Sequence, residues 1–445
     1  MRTTIARLAR FMLALGLCAG SAACGGGTQD ATVTVIVPWV QNSSEYNAFK
    51  AVIGPFEEQN GIQVILEPTQ AVTQQLDADL TAHTPPDVVD LPSPAAVNHY
   101  EGPDGLQPLD GISLSSYEDP WRSLAESKGI VYAIPVKADV KSLIWYNKDV
   151  LQSAPTWTAL EDLSRHGTPW CLGLASGPTS GWPGDDWVAD ILLSRSGNNA
   201  DKDYEDWLGG QIGWTSSQVR GAWQAWGALM HSGAAVYSGA AHTSGAVYAL
   251  ETPYDDVAFE KAMTRGKCEL ERGALTATGL NPAADNRLTF TLFPPISGTA
   301  SPLLVSGDFM GQFSKNPNAT ALLKYLAGTK AQSMWVEQAG IPRGIKPGKL
   351  TRAYAFSADN NKKVWAAYPA GVQQQVADLL RPGSGKELCF SAEDMMEPDM
   401  STAFEQAALD YFYDPGSLTN LLQGLQQTQQ AHNQSPVAQL ACARL

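Results

Sequence analysis

The chain has little positive charge, few histidines and no long apolar run, and each scarcity excludes something. Its 30 Lys+Arg face 45 Asp+Glu, a formal net charge of −15, and three of those cations sit in the first 23 residues, where there are no acids. Nucleic-acid partners need a basic footprint, so that class is set aside. Charge-driven adhesion to anionic lipid is set aside with it. The six histidines are scattered, and no CxxC or Cys/His cluster occurs, so no zinc or copper site and no cofactor are expected. GxSxG, HExxH, P-loop and post-strand GxGxxG patterns are all absent. A glycosidase needs only two carboxylates beside a sugar cleft, which 45 acids do not exclude. There is no internal repeat.

The apolar stretch Phe11-Met12-Leu13-Ala14-Leu15-Gly16-Leu17 is far shorter than the roughly 20 residues of a spanning helix. Arg2, Arg7 and Arg10 precede it, and Ser21-Ala22-Ala23 follow as small residues before Cys24. That order reads as a lipoprotein signal over residues 1–23, with Cys24 free to take lipid after cleavage. Ser21 stands where such signals usually have Leu. An ordinary secretory signal is the competing reading. Residues 24–31, with Gly25-Gly26-Gly27, form a flexible tether. The protein is therefore expected outside the cytoplasm, on the outer face of the bacterial cytoplasmic membrane. Cys171, Cys268, Cys389 and Cys442 then remain as an even set in an oxidising compartment. Two disulfides follow, with three pairings open.

Val33-Thr34-Val35-Ile36-Val37 reads as a buried strand, and Phe49, Val52, Ile53 and Phe56 mark one face of the helix that follows. Gly61 ends that helix, and Ile62–Leu66 is a second strand. Val72, Leu76 and Leu80 mark another helix, and Asp87–Leu91 a third strand. This alternation predicts a parallel sheet with helices on its faces. Tyr132–Asn147 is extended and suits strands passing between lobes. Downstream, Val219, Ala222, Trp223, Trp226, Leu229 and Met230 form an amphipathic face whose tryptophans read as core. Further helices are expected at 318–327, 331–339, 362–380, 400–411 and 417–431. Residues 233–246 read as a loop and the chain after His432 as a loosely held tail.

Several segments together resemble the extracytoplasmic solute-binding proteins of ABC sugar importers, in particular the α-glucoside and oligosaccharide group. They are Phe56-Glu57 before Gly61-Ile62-Gln63-Val64, Pro86–Pro92, Ile134-Pro135-Val136-Lys137, Lys141–Asn147 and Pro155-Thr156-Trp157. Trp170-Cys171-Leu172-Gly173 leading to Ser180-Gly181-Trp182-Pro183-Gly184-Asp185-Asp186-Trp187 is the most specific, and Asp394-Met395-Met396 also fits. The resemblance implies an α/β fold of two lobes with a hinge and an interlobe ligand cleft. It implies a first lobe of residues 32–140 plus about 300–345. The second would hold 141–299 plus about 346–435, with 436–445 as tail. It further implies binding without catalysis, a small oligosaccharide ligand, membrane permease subunits as partners, a monomer, and the disulfides Cys171–Cys268 and Cys389–Cys442. A non-sugar or phosphorylated glycerol solute is the alternative ligand.

A sugar needs carboxylates and amides around its hydroxyls and flat aromatics against its C–H faces. Trp182, Asp185 and Asp186 are candidates in a tight loop, Asp186 alternatively capping a helix that starts near Trp187. The family often has Thr at position 185, which leaves open which acid meets ligand. Trp39, Asn42, Ser43 and Glu45 follow the first strand, and Asp90 ends the third, where open α/β sheets bind ligands. Glu45 can alternatively serve the helix dipole. Trp145, Tyr146 and Asn147 lie near the expected crossover, and Asp308 and Phe309 follow a strand returning to the first lobe. Tyr354 and Arg381 complete the set.

Overall fold

The computed structural model describes residues 31–149, 151, 153–230, 235–239, 244–282, 285–298, 300–337, 355–431 and 437–445. The signal segment, Cys24, nearly all of the tether, residues 338–354 with Tyr354, part of the 233–246 loop, and residues 432–436 lie outside that set.

Strand Ala31–Val37 buries Val33, Val35, Ile36 and Val37, as a β-branched run in a covered sheet should. Helix Ser44–Asn60 begins where Ser43 Oγ accepts a 3.2 Å bond from the Tyr46 N–H. It ends at Gly61, whose φ of 62° carries the left-handed turn while its N–H bonds Glu57 O. The face Phe49, Val52, Ile53 and Phe56 is buried. Ala31–Val37 then pairs in parallel with Ile62–Pro68 on one side and Val88–Leu91 on the other. Phe309–Gln312 joins antiparallel to Val88–Leu91, and Ala133–Pro135 closes this five-stranded sheet.

A second sheet orders Leu288–Leu292, Leu143–Asn147, Leu270–Arg272 and Trp170–Cys171. Its helices include Trp182–Arg195, Ser217–Met230 and Pro398–Tyr413, with Trp223 and Trp226 fully buried among them. Between the lobes lies a third sheet, ordered Cys442–Arg444, Glu387–Phe390, Leu303–Ser306 and Asp139–Val140. The extended segment 133–147 thus contributes one strand to each of the three sheets, and 303–312 runs from the third into the first. These crossings are the hinge elements. No helix among the described residues is long and apolar enough to cross a membrane.

Three expectations change. Residues 355–380 pack on the first lobe: the Ala138 N–H donates to Phe356 O at 3.0 Å, and Gln373 Nε2 donates to Val336 O and Ala355 O at 3.1 and 2.9 Å. An amphipathic pattern shows that a face is buried without showing which lobe covers it. The helix expected over 362–380 is broken into Lys362–Ala367 and Val372–Ala377, with Pro369 and Gly371 between them. The C-terminal tail is held, because Cys442–Arg444 pairs antiparallel with Glu387–Phe390.

The disulfides are Cys171–Cys268 and Cys389–Cys442. The second staples the last strand to the junction sheet. Its 53-residue separation gives an unfolded-state stabilisation of about 4 kcal/mol. Cys389→Ala/Cys442→Ala should therefore lower the unfolding free energy from urea titration by that order, and the urea midpoint with it. An unchanged midpoint would show that the staple carries no stability.

Candidate functional site

The cleft between the lobes encloses about 500 Å³, within the range for small-molecule sites. Its floor is the crossing segment 137–141, where extended backbone turns Lys137, Asp139 and Lys141 toward one face. Each lysine gathers carboxylates. Lys137 Nζ donates to Glu45 Oε1 at 2.8 Å and lies 3.3 Å from Asp139 Oδ2 and 3.8 Å from Asp308 Oδ2. Thr276 Oγ1 donates to Asp139 at 2.7 Å. Lys141 Nζ donates to Glu393 Oε1 and Ser391 Oγ, both at 2.8 Å, and to Asp186 Oδ1 at 3.1 Å.

Desolvation opposes both ammonium charges, but the surrounding carboxylates outweigh it and hold the pKa of each lysine above the ordinary range. Behind Lys141, Arg272 Nη1 lies 2.9 Å from Asp186 Oδ2, and Arg272 also pairs with Asp190. Burial would raise the Asp186 pKa, yet Lys141 and Arg272 hold it below the usual carboxylate range. Asp90 is different. It is completely buried, has no hydrogen-bond donor among the described residues, and is pushed well up by burial and by Asp308.

Trp182 forms an aromatic corner with Tyr254, their rings 4.8 Å apart and edge to face. The Lys141 ammonium lies 4.9 Å from the Trp182 ring centre. Gly181 sets the ring's position: its φ of 114° is closed to other residues, and a Cβ there would strike the Glu405 carbonyl. Gly184 lets Trp226 and Ala408 pack directly against the helix.

Of the expected site residues, Trp39, Ser43, Glu45, Trp182 and Asp308 line the cleft. Asp90, Asp185 and Asp186 lie fully buried behind its wall, so neither acid of the 185–186 pair reaches the open cleft. Residues 182–187 are the start of helix Trp182–Arg195 and not a loop, since Pro in a first turn is compatible with a helix. Trp187 is core, packed against Trp170 at 5.0 Å. Asn42 is exposed at φ 65°, and its carbonyl accepts from Asn47 Nδ2. Trp145, Tyr146 and Asn147 belong to the second lobe's buried sheet, where Trp145 Nε1 donates to Gly273 O at 2.9 Å. Phe309 is fully buried against Phe390. Arg381 lies over Trp365 and pairs with Asp378, away from the cleft.

The structure adds Lys137, Lys141, Tyr254, Asp255, Glu393, Asp394 and Glu405 to the lining. Lys137, Lys141 and Asp394 fall within segments that carry the family resemblance, so a signal for them existed. Tyr254 and Glu405 sit in segments without one. Among the described residues, no group of three or more His, Cys, Asp or Glu side chains is arranged to hold a metal ion.

Two lobes on a three-sheet frame, with a polar and aromatic cleft at their junction, define a solute receptor. The chain belongs to the bacterial extracellular solute-binding proteins, whose family model matches residues 51–348. The family binds solutes and its members here are receptors, not enzymes. The chain is 27% identical over 396 residues to the osmoprotective compounds-binding protein GgtB of Synechocystis sp., covering 85% of this chain and 88% of that protein. It is 28% identical over 334 residues to the alpha-glucosides-binding periplasmic protein AglE of Rhizobium meliloti, covering 69% and 70%. Among solved structures, the bacterial solute receptor AcbH superposes with a TM-score of 0.69 at 16% identity, over 90% of this chain and 99% of that one. A chitin oligosaccharide binding protein gives 0.68 at 15% identity, over 90% and 99%.

Burial and the neighbouring Glu393 push the cleft residue Glu405 up to about 8, against an ordinary 4.5, with Lys141 opposing. A raised acid binds its proton more tightly folded than unfolded, so it costs stability as pH rises from 4.5 through 8. Glu405→Gln should remove that loss. Urea titrations from pH 5 to 9 should show the wild type losing more stability than the variant, and parallel profiles would refute the assignment.

Proposed function

We propose that this receptor captures a small oligosaccharide of the α-glucoside kind in the interlobe cleft and presents it, as a monomer, to the membrane permease of an ABC importer. The observation that carries the reading is the Trp182–Tyr254 corner set beside hydrogen-bonding carboxylates in one cleft. An aromatic face suits a pyranose C–H surface, and carboxylates accept its hydroxyls. The name of AglE supports the ligand class. Closure by hinge motion about the junction sheet would enclose the sugar. A phosphorylated glycerol solute fits less well, because the cations that line the cleft among the described residues, Lys137 and Lys141, already hold carboxylates.

A thermal-shift screen over trehalose, maltose, sucrose, longer maltodextrins and phosphorylated glycerol compounds tests the ligand class. A shift only with the phosphorylated compounds would overturn it. With the best sugar, Trp182→Ala should remove apolar contact worth about 1.5–3 kcal/mol, weakening calorimetric affinity roughly tenfold to a hundredfold. Unaltered affinity in a native-like variant would remove Trp182 from the site.

We also propose that residues 1–23 are removed and that Cys24 carries lipid anchoring the protein to the outer face of the cytoplasmic membrane. The order of the arginines, the apolar stretch and the small residues before Cys24 supports this. Cys24→Ser should move the protein from the membrane fraction into the medium, and continued membrane partitioning would contradict the anchor.

A further inference from the structure

We infer that the cleft selects its solute by charge and favours a polyhydroxylated solute carrying an ammonium group, such as an amino sugar, over its neutral counterpart. This rests on the sugar reading above and narrows it. Among the described residues, nine carboxylates line the cleft, against two ammonium groups. Both ammonium groups are already committed. Lys137 holds Glu45 and Asp139 within 3.3 Å, and Lys141 holds Glu393 and the buried Asp186 within 3.1 Å. Neither is left to balance Asp255 or Glu405, and Asp394 and Asp308 lie only at 3.8 Å from a lysine.

A second, independent observation is a shortage of donors. Glu393 is 95% buried and lines the cleft; its Oε1 accepts from Lys141 and Ser391, and among the described residues no donor reaches its Oε2. Asp308 Oδ2, on the opposite side of the floor, also has none. A carboxylate oxygen taken from water without a donor is costly, and a ligand that supplies one recovers that cost. Sugar hydroxyls supply neutral donors. An ammonium supplies three donors and a full charge, and charge-assisted bonds are about twice as strong as neutral ones.

The Trp182–Tyr254 corner offers the same cation a further attractive surface, as the Lys141 contact with Trp182 already shows. The raised pKa values of Asp308, about 6, and Glu405, about 8, agree: burial comes first in each, with a neighbouring carboxylate adding and a lysine opposing. An anionic sugar meets the reverse situation and is rejected.

The test is calorimetry at pH 7, where a 2-amino sugar is still largely an ammonium, with matched pairs, namely trehalose with its 2-amino analogue and cellobiose with the chitosan disaccharide, plus glucose 6-phosphate and glucuronate as anions. At least one amine should bind about tenfold or more tightly than its neutral partner, the equivalent of one added charge-assisted bond. The anions should not bind. Glu405→Gln and Asp394→Asn should each lower the amine's affinity more than the neutral sugar's. Equal or tighter binding of the neutral partners would overturn the charge selection while leaving the sugar reading intact. Binding of the anions, or a preference unchanged in both variants, would overturn it too. Failure of every sugar, neutral and amine alike, would overturn both readings together.

Discussion

Two buried ammonium groups, four residues apart on one crossing segment, hold the site together. Lys137 faces the first lobe and gathers Glu45 and Asp139. Lys141 faces the second and gathers Asp186 and Glu393. Neither charge is tolerable in a protein interior without partners, and neither set of carboxylates is tolerable without its lysine. The geometry of the floor is therefore fixed by mutual need. Because Lys141 binds groups from helix Trp182–Arg195 and from the return segment 391–394, its charge also joins two chain crossings to the second lobe.

The junction sheet gives this network its mechanical setting. Asp139–Val140, Leu303–Ser306 and Glu387–Phe390 lie side by side, and each leads within a few residues to a floor carboxylate or lysine. The Lys141 N–H donates to Leu304 O at 2.7 Å, so the backbone ladder and the charge network share residues. Ser142 Oγ extends the link, accepting from the Leu304 N–H at 2.6 Å and pairing with Asp190. Across the cleft mouth, His99 Nδ1 lies 3.2 Å from Glu397 Oε2 and joins the first lobe to the start of helix Pro398–Tyr413. A ligand that draws the lobes together thus acts on elements already coupled through the hinge.

The acids buried behind the cleft wall have a cost that the fold bears elsewhere. Asp90 and Asp185 are fully buried with no donor among the described residues, and burial raises both well above the usual carboxylate range. The second lobe offsets such expense with apolar packing around Trp187, Trp207, Trp214, Trp223 and Trp226, all nearly or completely buried. Edge-to-face contacts such as Trp207–Trp214 at 5.0 Å make that core stiff as well as large.

Much of this was legible in the sequence. Periodicity located the helix Ser44–Asn60 with its buried face and its Gly stop, because those signals are local. The strand–helix alternation located the parallel part of the first sheet, and the polar, Pro-broken stretch 132–147 announced a crossing. Glu45 and Ser43 were reachable because loops after parallel strands point into the cleft of such a sheet. What the residues alone did not reveal was depth. Trp145 and Trp182 are both tryptophans beside polar neighbours, yet one is core and the other lines the cleft. Asp186 and Glu393 are both buried acids bound to Lys141, yet only Glu393 reaches the lining. Such differences arise from contacts between residues a hundred or more positions apart, as between Lys141 and Glu393. Local pattern determined the strongly signalled elements, such as the first strands and the helix between them; only the packing of one lobe against the other decided which side chains face the solute.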